Sequence, residues 1–280
     1  MLRALREALA EEPPEALETL STDAVEFNNQ IGLPTHPKTG RPGPLLQYQL
    51  DVIGYRGPDL LVVKSNKIGI TEAILRDMVM KGVVGDCRGY QLMMGAQGLR
   101  LAQENMRRLQ DIFGQSSLLA PMVRSKTKET LELKDGTKYF VMPRSAEAKR
   151  GWPRVKYAFL DEAAHSGFLD DEKILAATTS RLANTGGYLR LVSTPKGQRG
   201  FFYRMATEAL TGKVKAKVLT FPYQVGIGNL IEPEFIEAER LRLGALFEQE
   251  YECQFLGSQN AAIEEGLLRR GIDDYTMEEL

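Results

Sequence analysis

Short apolar runs alternate with longer segments of helical periodicity along most of this chain. The apolar runs predict strands at 59–64, 90–96, 155–160, 187–194 and 213–221, and a hairpin at 130–143 around Asp135 and Gly136. Between them, apolar residues that recur every three or four positions predict helices at 71–81, 99–112, 170–183, 198–209 and 233–250. Strands separated by helices predict an α/β fold with a three-layered, mainly parallel sheet.

Proline-rich and glycine-rich segments divide the chain. Residues 29–45 are rich in Pro, Gly and Thr, which is typical of a loop. Before this loop, Leu2, Leu5 and Leu9 share one helical face. They predict a small helical arm that packs on its own domain, with a docking element for another protein as the alternative. The predicted parts are an arm and loop at 1–44, a main domain at 45–258, and a charged tail or linker at 259–280.

Composition narrows the classes of function. The formal net charge of the 280 residues is −1, so binding to nucleic acid would need a local basic patch rather than the overall field. Two cysteines and two histidines without metal-ligand spacing argue against a zinc site and fit a reducing compartment. No apolar run approaches the ~18 residues of a membrane span, and the charged N-terminus lacks the apolar segment of a signal peptide.

The segment that follows the first predicted strand has the layout of a phosphate-binding loop. The consensus loop, G-x-x-x-x-G-K-[ST], would need a glycine at Lys64 and a lysine at Ile70. Gly69 would let the backbone approach a phosphate at the start of the next helix, where the Thr71 hydroxyl could bind Mg²⁺. On these residues alone, an ordinary strand–turn–helix junction with a solvent-facing lysine is an equal alternative.

Two adjacent carboxylates, Asp161 and Glu162, end the strand predicted at 155–160. An acidic residue at the end of a buried strand can hold Mg²⁺, and its neighbour can polarise an attacking water molecule. We assign Asp161 to the metal ion and Glu162 to the general base. The alternative is a pair of solvated carboxylates, which the position of the pair after the loop in an α/β chain disfavours.

A third strand, predicted at 187–194, ends in Ser193, Thr194 and Pro195. Small polar groups beside a phosphate site can sense whether the terminal phosphate is present and pass that state to a moving segment. By itself the motif is weak, because Ser-Thr-Pro is a common way for a strand to end. Ligands of α/β sheets gather at the carboxyl ends of the strands, so we expect these residues to lie near the first two motifs.

Taken in order, the motifs resemble the ATPase domain of the large terminase subunit, the DNA-packaging motor of tailed bacteriophages and related viruses. The lambda-like branch of that family has a deviant loop, K-S-x-R-x-G-x-S, to which residues 64–71 are similar. The resemblance implies that Lys64 supplies the cation of the loop and that Lys67 takes the place of the arginine. The nucleotide-binding residues that it implies are Gln49, Lys64, Ser65, Asn66, Lys67, Ile68, Gly69, Ile70 and Thr71.

Further matches extend the resemblance over about residues 45–258. Gln49 matches a glutamine that reads adenine in the family, and Arg150 matches an arginine that can act on the nucleotide of a neighbouring subunit. The acidic pair matches the end of the Walker B segment, the Ser-Thr-Pro motif matches the coupling motif, and residues 247–258 resemble the segment that closes the domain. The implied catalytic residues are Glu162, Arg150 and Lys64, and the implied metal ligands are Thr71 and Asp161.

The resemblance implies a RecA-like P-loop fold and a Mg²⁺-dependent ATPase that drives double-stranded DNA into a procapsid. The implied cofactors are ATP and Mg²⁺. The implied partners are DNA, the portal protein and the small terminase subunit, with the chains in a homo-oligomeric ring on the portal, in the host cytoplasm and without a membrane.

Full-length family members continue into a ribonuclease-H-like nuclease. Asp273 and Asp274 cannot form a two-metal site alone, so nuclease activity is not expected, and the chain is either an ATPase-domain fragment or a protein that works without its own nuclease. The alternatives to the motor are a helicase or translocase of another P-loop family, and a nucleotide-binding module that has lost hydrolysis.

Overall fold

The centre of the molecule is a sheet to which the described residues contribute eight strands, as seen in a computed structural model. The structure describes residues 19–142, 154–165 and 171–257. The strands are β1 Asp59–Lys64, β2 Gln91–Ala96, β3 Val123–Lys126, β4 Thr130–Leu133, β5 Lys138–Val141, β6 Val155–Asp161, β7 Tyr188–Ser193 and β8 Lys217–Phe221. They lie in the order β3-β4-β5-β2-β6-β7-β1-β8, so consecutive strands of the chain are often separated in the sheet.

The sheet is mainly parallel, as the alternation of strands and helices predicts. Antiparallel pairing is confined to β3–β4 and β4–β5, and the other described neighbours are parallel. The predicted hairpin is confirmed, with Gly136 in the left-handed region at φ 86° and the Thr137 amide donating to Asp135 Oδ1 over 2.9 Å. Strand β3 was not predicted, because an exposed edge strand with charged side chains lacks the apolar pattern of a buried one.

Helices cover both faces of the sheet. They are α1 Ala24–Ile31, α2 Gln47–Gly54, α3 Ile70–Val83, α4 Leu99–Gln115, α5 Asp171–Leu182, α6 Gly200–Leu210, α7 Pro233–Leu243 and α8 Leu246–Glu250. Leu60 and Val62 of β1 face one core, which they share with α1 to α4. Leu61 and Val63 face a second core on the opposite side, which they share with α5 and α6. This alternation along β1 produces the three predicted layers.

Several boundaries differ from those predicted. Helix α1 runs into the segment predicted to be a loop at 29–45, because the Asp23 side chain caps it and Phe27 packs in the first core. The predicted helix at 233–250 is divided into α7 and α8 at Gly244, which has φ 53°. The leucines of the predicted arm and the tail at 259–280 lie outside the described residues. Within the described part of the chain, no helix is both long and apolar enough to cross a bilayer.

Candidate functional site

Three parallel strands bring the predicted motifs to one edge of the sheet. Strands β6, β7 and β1 are consecutive neighbours, and their pairing aligns Asp161 with Val192 and Val63 with Ser193. Because the carboxyl ends of parallel strands share an edge, Lys64, Asp161 and Ser193 lie close together there. This edge is where open α/β sheets bind their ligands.

The loop between β1 and α3 has a backbone suited to an anion. Lys67 and Gly69 take φ angles of 65° and 74°, in the left-handed region that glycine tolerates best. A Cβ at Gly69 would lie 2.6 Å from Gln49 Nε2, so a side chain there would displace the end of the Gln49 amide. Gly69 provides no side-chain cap for α3, whose first amides lack partners within the helix and can therefore bind a ligand. The Tyr48 hydroxyl donates to the Ile68 carbonyl over 2.8 Å and supports the loop.

Lys64, the residue that stands in place of the consensus glycine, is paired with the predicted general base. Its Nζ lies 2.7 Å from Glu162 Oε1, and its side chain is only 8% exposed. The alternative of a solvent-facing lysine is therefore wrong. Glu162 takes φ 49°, a strained conformation for a residue with a side chain, and such positions cluster at functional sites.

The remaining loop residues divide between the core and the surface. Ile68 and Ile70 are 0% and 1% exposed in the first core, so the position of the consensus lysine is used here for packing. Ser65 is buried, and its amide donates to the Phe221 carbonyl over 2.8 Å. Lys67 is exposed at the tip of the loop. Only Lys64 of the two loop lysines is thus held inside the site.

The Asp161 carboxylate is buried among polar groups. Thr71 Oγ1 lies 3.4 Å from each of its oxygens, and Asn105 Nδ2 donates to Oδ2 over 2.8 Å. Burial raises the pKa of Asp161, and the neighbouring Glu162 carboxylate raises it further. A divalent cation would offset both effects.

Asn105 was missed by the sequence reasoning. It is 1% exposed and lies on the buried face of α4 with Ala102, Met106 and Leu109. Buried polar side chains almost always have a hydrogen-bond partner, so a polar residue on an apolar helix face was the available signal. The sequence could not say that this partner is Asp161.

The predicted coupling residues contact the same glutamate. Ser193 Oγ and the Thr194 amide each lie 3.4 Å from Glu162 Oε2. Thr194 Oγ1 is also 2.7 Å from His165 Nε2, and Pro195 is buried directly after it. The end of β7 can therefore respond to the position of the Glu162 side chain.

Gln49 lies beside the loop and uses both ends of its amide within the protein. Its Oε1 accepts from the Leu46 amide over 2.9 Å, and its Nε2 donates to the Gly69 carbonyl over 3.2 Å. It also borders a cleft of about 350 Å³, whose other walls include Pro44 and Leu230. The cleft opens next to the loop, where a group attached to the phosphates would lie.

Arg150, the third predicted catalytic residue, lies outside the described residues. Its role therefore stays a prediction from the resemblance. A guanidinium at a phosphoryl-transfer site would stabilise the charge that develops on the transferred group.

The residues around Asp161 fit a magnesium ion. Among residues 19–142, 154–165 and 171–257, no group of three or more His, Cys, Asp and Glu side chains could hold a metal ion. Mg²⁺ does not need one, since it binds through one or two carboxylates together with substrate phosphates and water. Asp161 and Thr71 offer oxygen donors of that kind next to the loop. With the Lys64 cation and the Glu162 carboxylate, this set suits cleavage of a nucleoside triphosphate.

Comparisons with known proteins agree with this geometry. The family model described as "Terminase large subunit, T4likevirus-type, N-terminal" matches residues 61–270. No curated protein sequence matches the chain.

Solved large terminases share its fold. The large terminase of bacteriophage HK97 superposes with a TM-score of 0.67 at 17% identity, covering 83% of this chain and 54% of that protein. The ATPase domain of the Thermus phage P74-26 large terminase superposes with a TM-score of 0.63 at 17% identity, covering 82% of this chain and 97% of that domain. A large terminase from a thermophilic bacteriophage in complex with ADP gives 0.60 at 16% identity, covering 76% of this chain and 54% of that one.

The chain thus spans about half the length of two of these proteins and nearly all of the isolated ATPase domain. The shared fold is the RecA-like P-loop sheet that the resemblance implied. Because the family model covers well over half of the sequence, the chain belongs to the family of terminase large subunits.

Proposed function

We propose that the chain is the ATP-hydrolysing motor domain of a viral terminase large subunit, which drives double-stranded DNA into a procapsid. The observation that carries the proposal is the convergence of Lys64, Asp161 and Glu162 at the ends of β1 and β6, the two strands that flank β7, beside a helix N-terminus. Membership of the terminase family supports it, as do the similar large terminases solved with ADP and with ATP-γ-S.

In this proposal the loop binds the phosphates of ATP. Lys64 and the free amides at the start of α3 contribute positive charge, and Gly69 lets the backbone come close. The cleft beside Gln49 takes the adenine. Gln49 then links the base to the phosphates, because it is hydrogen-bonded to the loop through the Gly69 carbonyl.

Asp161 and Thr71 would hold Mg²⁺ together with the phosphates. When bound, the ion neutralises negative charge on the phosphates. Asn105 fixes the orientation of the Asp161 carboxylate by donating to one of its oxygens. Removing the metal ion with a chelator should therefore stop hydrolysis.

Glu162 is the proposed general base for the attacking water. Its carboxylate is paired with Lys64 in this structure, so movement of Lys64 to the phosphates would release it to accept a proton. General bases contribute roughly 10²–10⁴-fold to such rates. Ser193 and Thr194 contact the same carboxylate, and we propose that they pass its state through Pro195 to the parts that move DNA. Arg150 is proposed to act on the nucleotide of a neighbouring subunit.

The proposed partners follow from the family. They are double-stranded DNA, the portal protein and the small terminase subunit, with a homo-oligomeric ring assembled on the portal and the host cytoplasm as the compartment. The coupling of hydrolysis to DNA movement is part of the proposal.

The decisive experiment measures phosphate release from ATP by the wild type and by Glu162→Gln, with and without double-stranded DNA and with Mg²⁺ or EDTA. We expect Mg²⁺-dependent turnover in the wild type and its loss in the variant. Glu234→Gln, an exposed glutamate in α7, is the matched control and should keep wild-type turnover. Binding of ATP without any hydrolysis by the wild type would instead favour a nucleotide-binding module. DNA uptake into procapsids with the portal protein present tests the motor itself.

A further inference from the structure

The end of α8 contacts both the phosphate loop and the turn that follows the coupling motif. The Asn66 amide donates to the Glu250 carbonyl over 3.0 Å, and Asn66 Nδ2 donates to Glu250 Oε2 over 2.8 Å. On the other side, the Gly197 amide donates to Gln249 Oε1 over 3.0 Å. Two consecutive residues thus hold two loops that are far apart in the sequence.

These contacts form one continuous chain of hydrogen bonds. Gln249 Nε2 donates to Glu250 Oε1 over 3.2 Å, which joins the two halves. Each Glu250 oxygen accepts one bond, whereas the Gln249 amide donates on one side and accepts on the other. The order of donors and acceptors therefore runs without a mismatch from Asn66 to Gly197.

This chain of hydrogen bonds is separate from the contacts inside the candidate site. There, Lys64 is linked to Ser193 and Thr194 through Glu162. Gln249 and Glu250 link the same two motifs by a second route. This route runs from Asn66 to Gly197 and does not pass through Asp161 or Glu162. Hydrogen bonds in such a chain polarise one another, so the chain can be worth more than the sum of its separate bonds.

We propose that Gln249 and Glu250 are positioning residues that keep the phosphate loop and the coupling turn in one fixed relation. A change at the loop is then transmitted to the turn after β7 instead of being lost in independent motion of the two segments. The inference rests on the proposed function in one respect, namely that the loop binds ATP and the turn responds to its hydrolysis.

The direction of the hydrogen bonds, from donor to acceptor, provides the test. With the Asn66 and Gln249 amides oriented as in the structure, Glu250→Gln leaves one acceptor oxygen for two NH₂ groups, so the bond to either Asn66 or Gln249 is lost. Gln249→Glu places two carboxylates against each other. Each single variant therefore interrupts the chain of hydrogen bonds between Asn66 and Gly197. The double variant Gln249→Glu/Glu250→Gln restores every donor–acceptor pair with the charge moved by one residue.

The measurements are ATP turnover, KM for ATP, and hydrogen exchange at the Asn66 and Gly197 amides. We expect each single variant to lower kcat about tenfold, the scale of one hydrogen bond to a charged group, with KM changed less than about threefold. Exchange should become faster at both amides in Glu250→Gln, although the Asn66 amide keeps its main-chain acceptor, the Glu250 carbonyl, and the Gly197 amide bonds Gln249 rather than Glu250. The double variant should recover both turnover and slow exchange.

The control is Glu248→Gln, an exposed glutamate of the same helix, which should match the wild type. Thermal unfolding of all variants identifies any that fail to fold. Unchanged Gly197 exchange in Glu250→Gln, or a double variant as impaired as the single ones, overturns the inference. A wild type that hydrolyses no ATP refutes the proposed function instead, and the exchange pattern still decides whether the chain of hydrogen bonds couples the two loops.

Discussion

Lys64 and Glu162 form an ion pair at the centre of the candidate site, with Nζ 2.7 Å from Oε1. The pair joins the first residue of the loop to the proposed general base, and both side chains are largely shielded from water. An ion pair in this setting is held more strongly than one at the surface, because the solvent screens it less. Phosphates that bind to the loop must therefore compete with Glu162 for the lysine.

The first prediction concerns the cation of the loop. Lys64→Ala should lower ATP turnover on the order of 10²-fold or more, because it removes the buried positive charge beside the phosphates. The packed Ile70 cannot replace it, since its side chain lies in the core. Initial rates of phosphate release measure the effect, with Lys126→Ala at the exposed end of β3 as the control. Normal turnover in Lys64→Ala would show that the loop takes its cation from elsewhere.

The second prediction separates binding from chemistry at the acidic pair. Glu162→Gln has nearly the same shape but cannot accept a proton, so it should bind ATP and hydrolyse it about 10²–10⁴-fold more slowly. Single-turnover hydrolysis and equilibrium binding of a fluorescent ATP analogue measure the two steps. Near-normal hydrolysis with intact binding would remove Glu162 from the role of base.

The third prediction places Arg150 on the nucleotide of a neighbouring subunit. Arg150→Ala should be nearly inactive alone, because a trans arginine contributes roughly 10³–10⁵-fold. Glu162→Gln should also be nearly inactive alone, because it lacks the proposed base. In a mixed ring, an Arg150→Ala chain receives its arginine from a Glu162→Gln neighbour and regains a complete site. Phosphate release should therefore return on mixing under conditions where assembly is verified. A mixture as inactive as its two components would place the arginine in its own subunit's site or outside catalysis.

The fourth prediction concerns a buried ion pair between β7 and α3. Arg190 Nε lies 3.3 Å from Asp77 Oδ2, the Tyr157 hydroxyl donates to the same oxygen over 2.7 Å, and both charged residues are 0% exposed. Asp77→Asn should reduce the free energy of unfolding by about 3–5 kcal/mol, because it leaves Arg190 buried without its counter-charge. Urea denaturation measures this. Glu172→Gln, which breaks the exposed pair with Arg204, should cost less than about 1 kcal/mol.

Equal losses in Asp77→Asn and Glu172→Gln would contradict the assignment of Asp77 as the partner of a buried charge. Tyr157→Phe provides an intermediate case, because it removes one hydrogen bond and no charge. Its loss should lie between the other two, at about 1.5–3 kcal/mol.

The fifth prediction concerns stability at alkaline pH. Burial, together with the smaller effect of the nearby Asp86 carboxylate, raises the pKa of the Cys87 thiol to about 12. In the unfolded chain a thiol titrates near ~8.5, so above that pH the unfolded state loses a proton that the folded state keeps. The stability contributed by this thiol is therefore complete below pH ~8.5 and falls as the pH rises, by up to about 1.4 kcal/mol per pH unit.

Urea denaturation between pH 7.5 and pH 10 tests this, with Cys87→Ala as the comparison. The wild type should lose about 2 kcal/mol more than the variant over this range, since every other titrating group is present in both proteins. Parallel stability curves would mean that the Cys87 thiol titrates normally in the folded protein.

The local elements could be predicted from the sequence because burial repeats with the period of each backbone. Strand β1 has the predicted bounds, Asp59–Lys64, since its apolar run is buried on both faces. The hairpin around Gly136 was predicted from an Asp-Gly turn between two alternating runs. By contrast, the short exposed strand β3 carries no such periodicity, and only its pairing with β4 shows it. Helix α1 is short, and its helical pattern is limited to Phe27 and Ile31.

The chemistry of the candidate site could also be predicted, through residue types in a particular order. Lys64, Asp161 and Ser193 were expected together because each ends a strand, and the shared edge of a parallel sheet confirms this. Their order along the chain also identified the family. What each residue contributes to catalysis stays a prediction.

Only the tertiary structure decided which side chains meet. The Lys64–Glu162 pair joins residues 98 positions apart, and the bond from Asn66 to Glu250 joins residues 184 positions apart. In the sequence, Asn105 is only a polar residue on an apolar helix face. Its partner, Asp161, is known only because α4 packs beside the end of β6. Periodicity records how each segment is buried, whereas strand order and helix packing set the distances between segments. Those distances result from the whole fold, so no local pattern contains them.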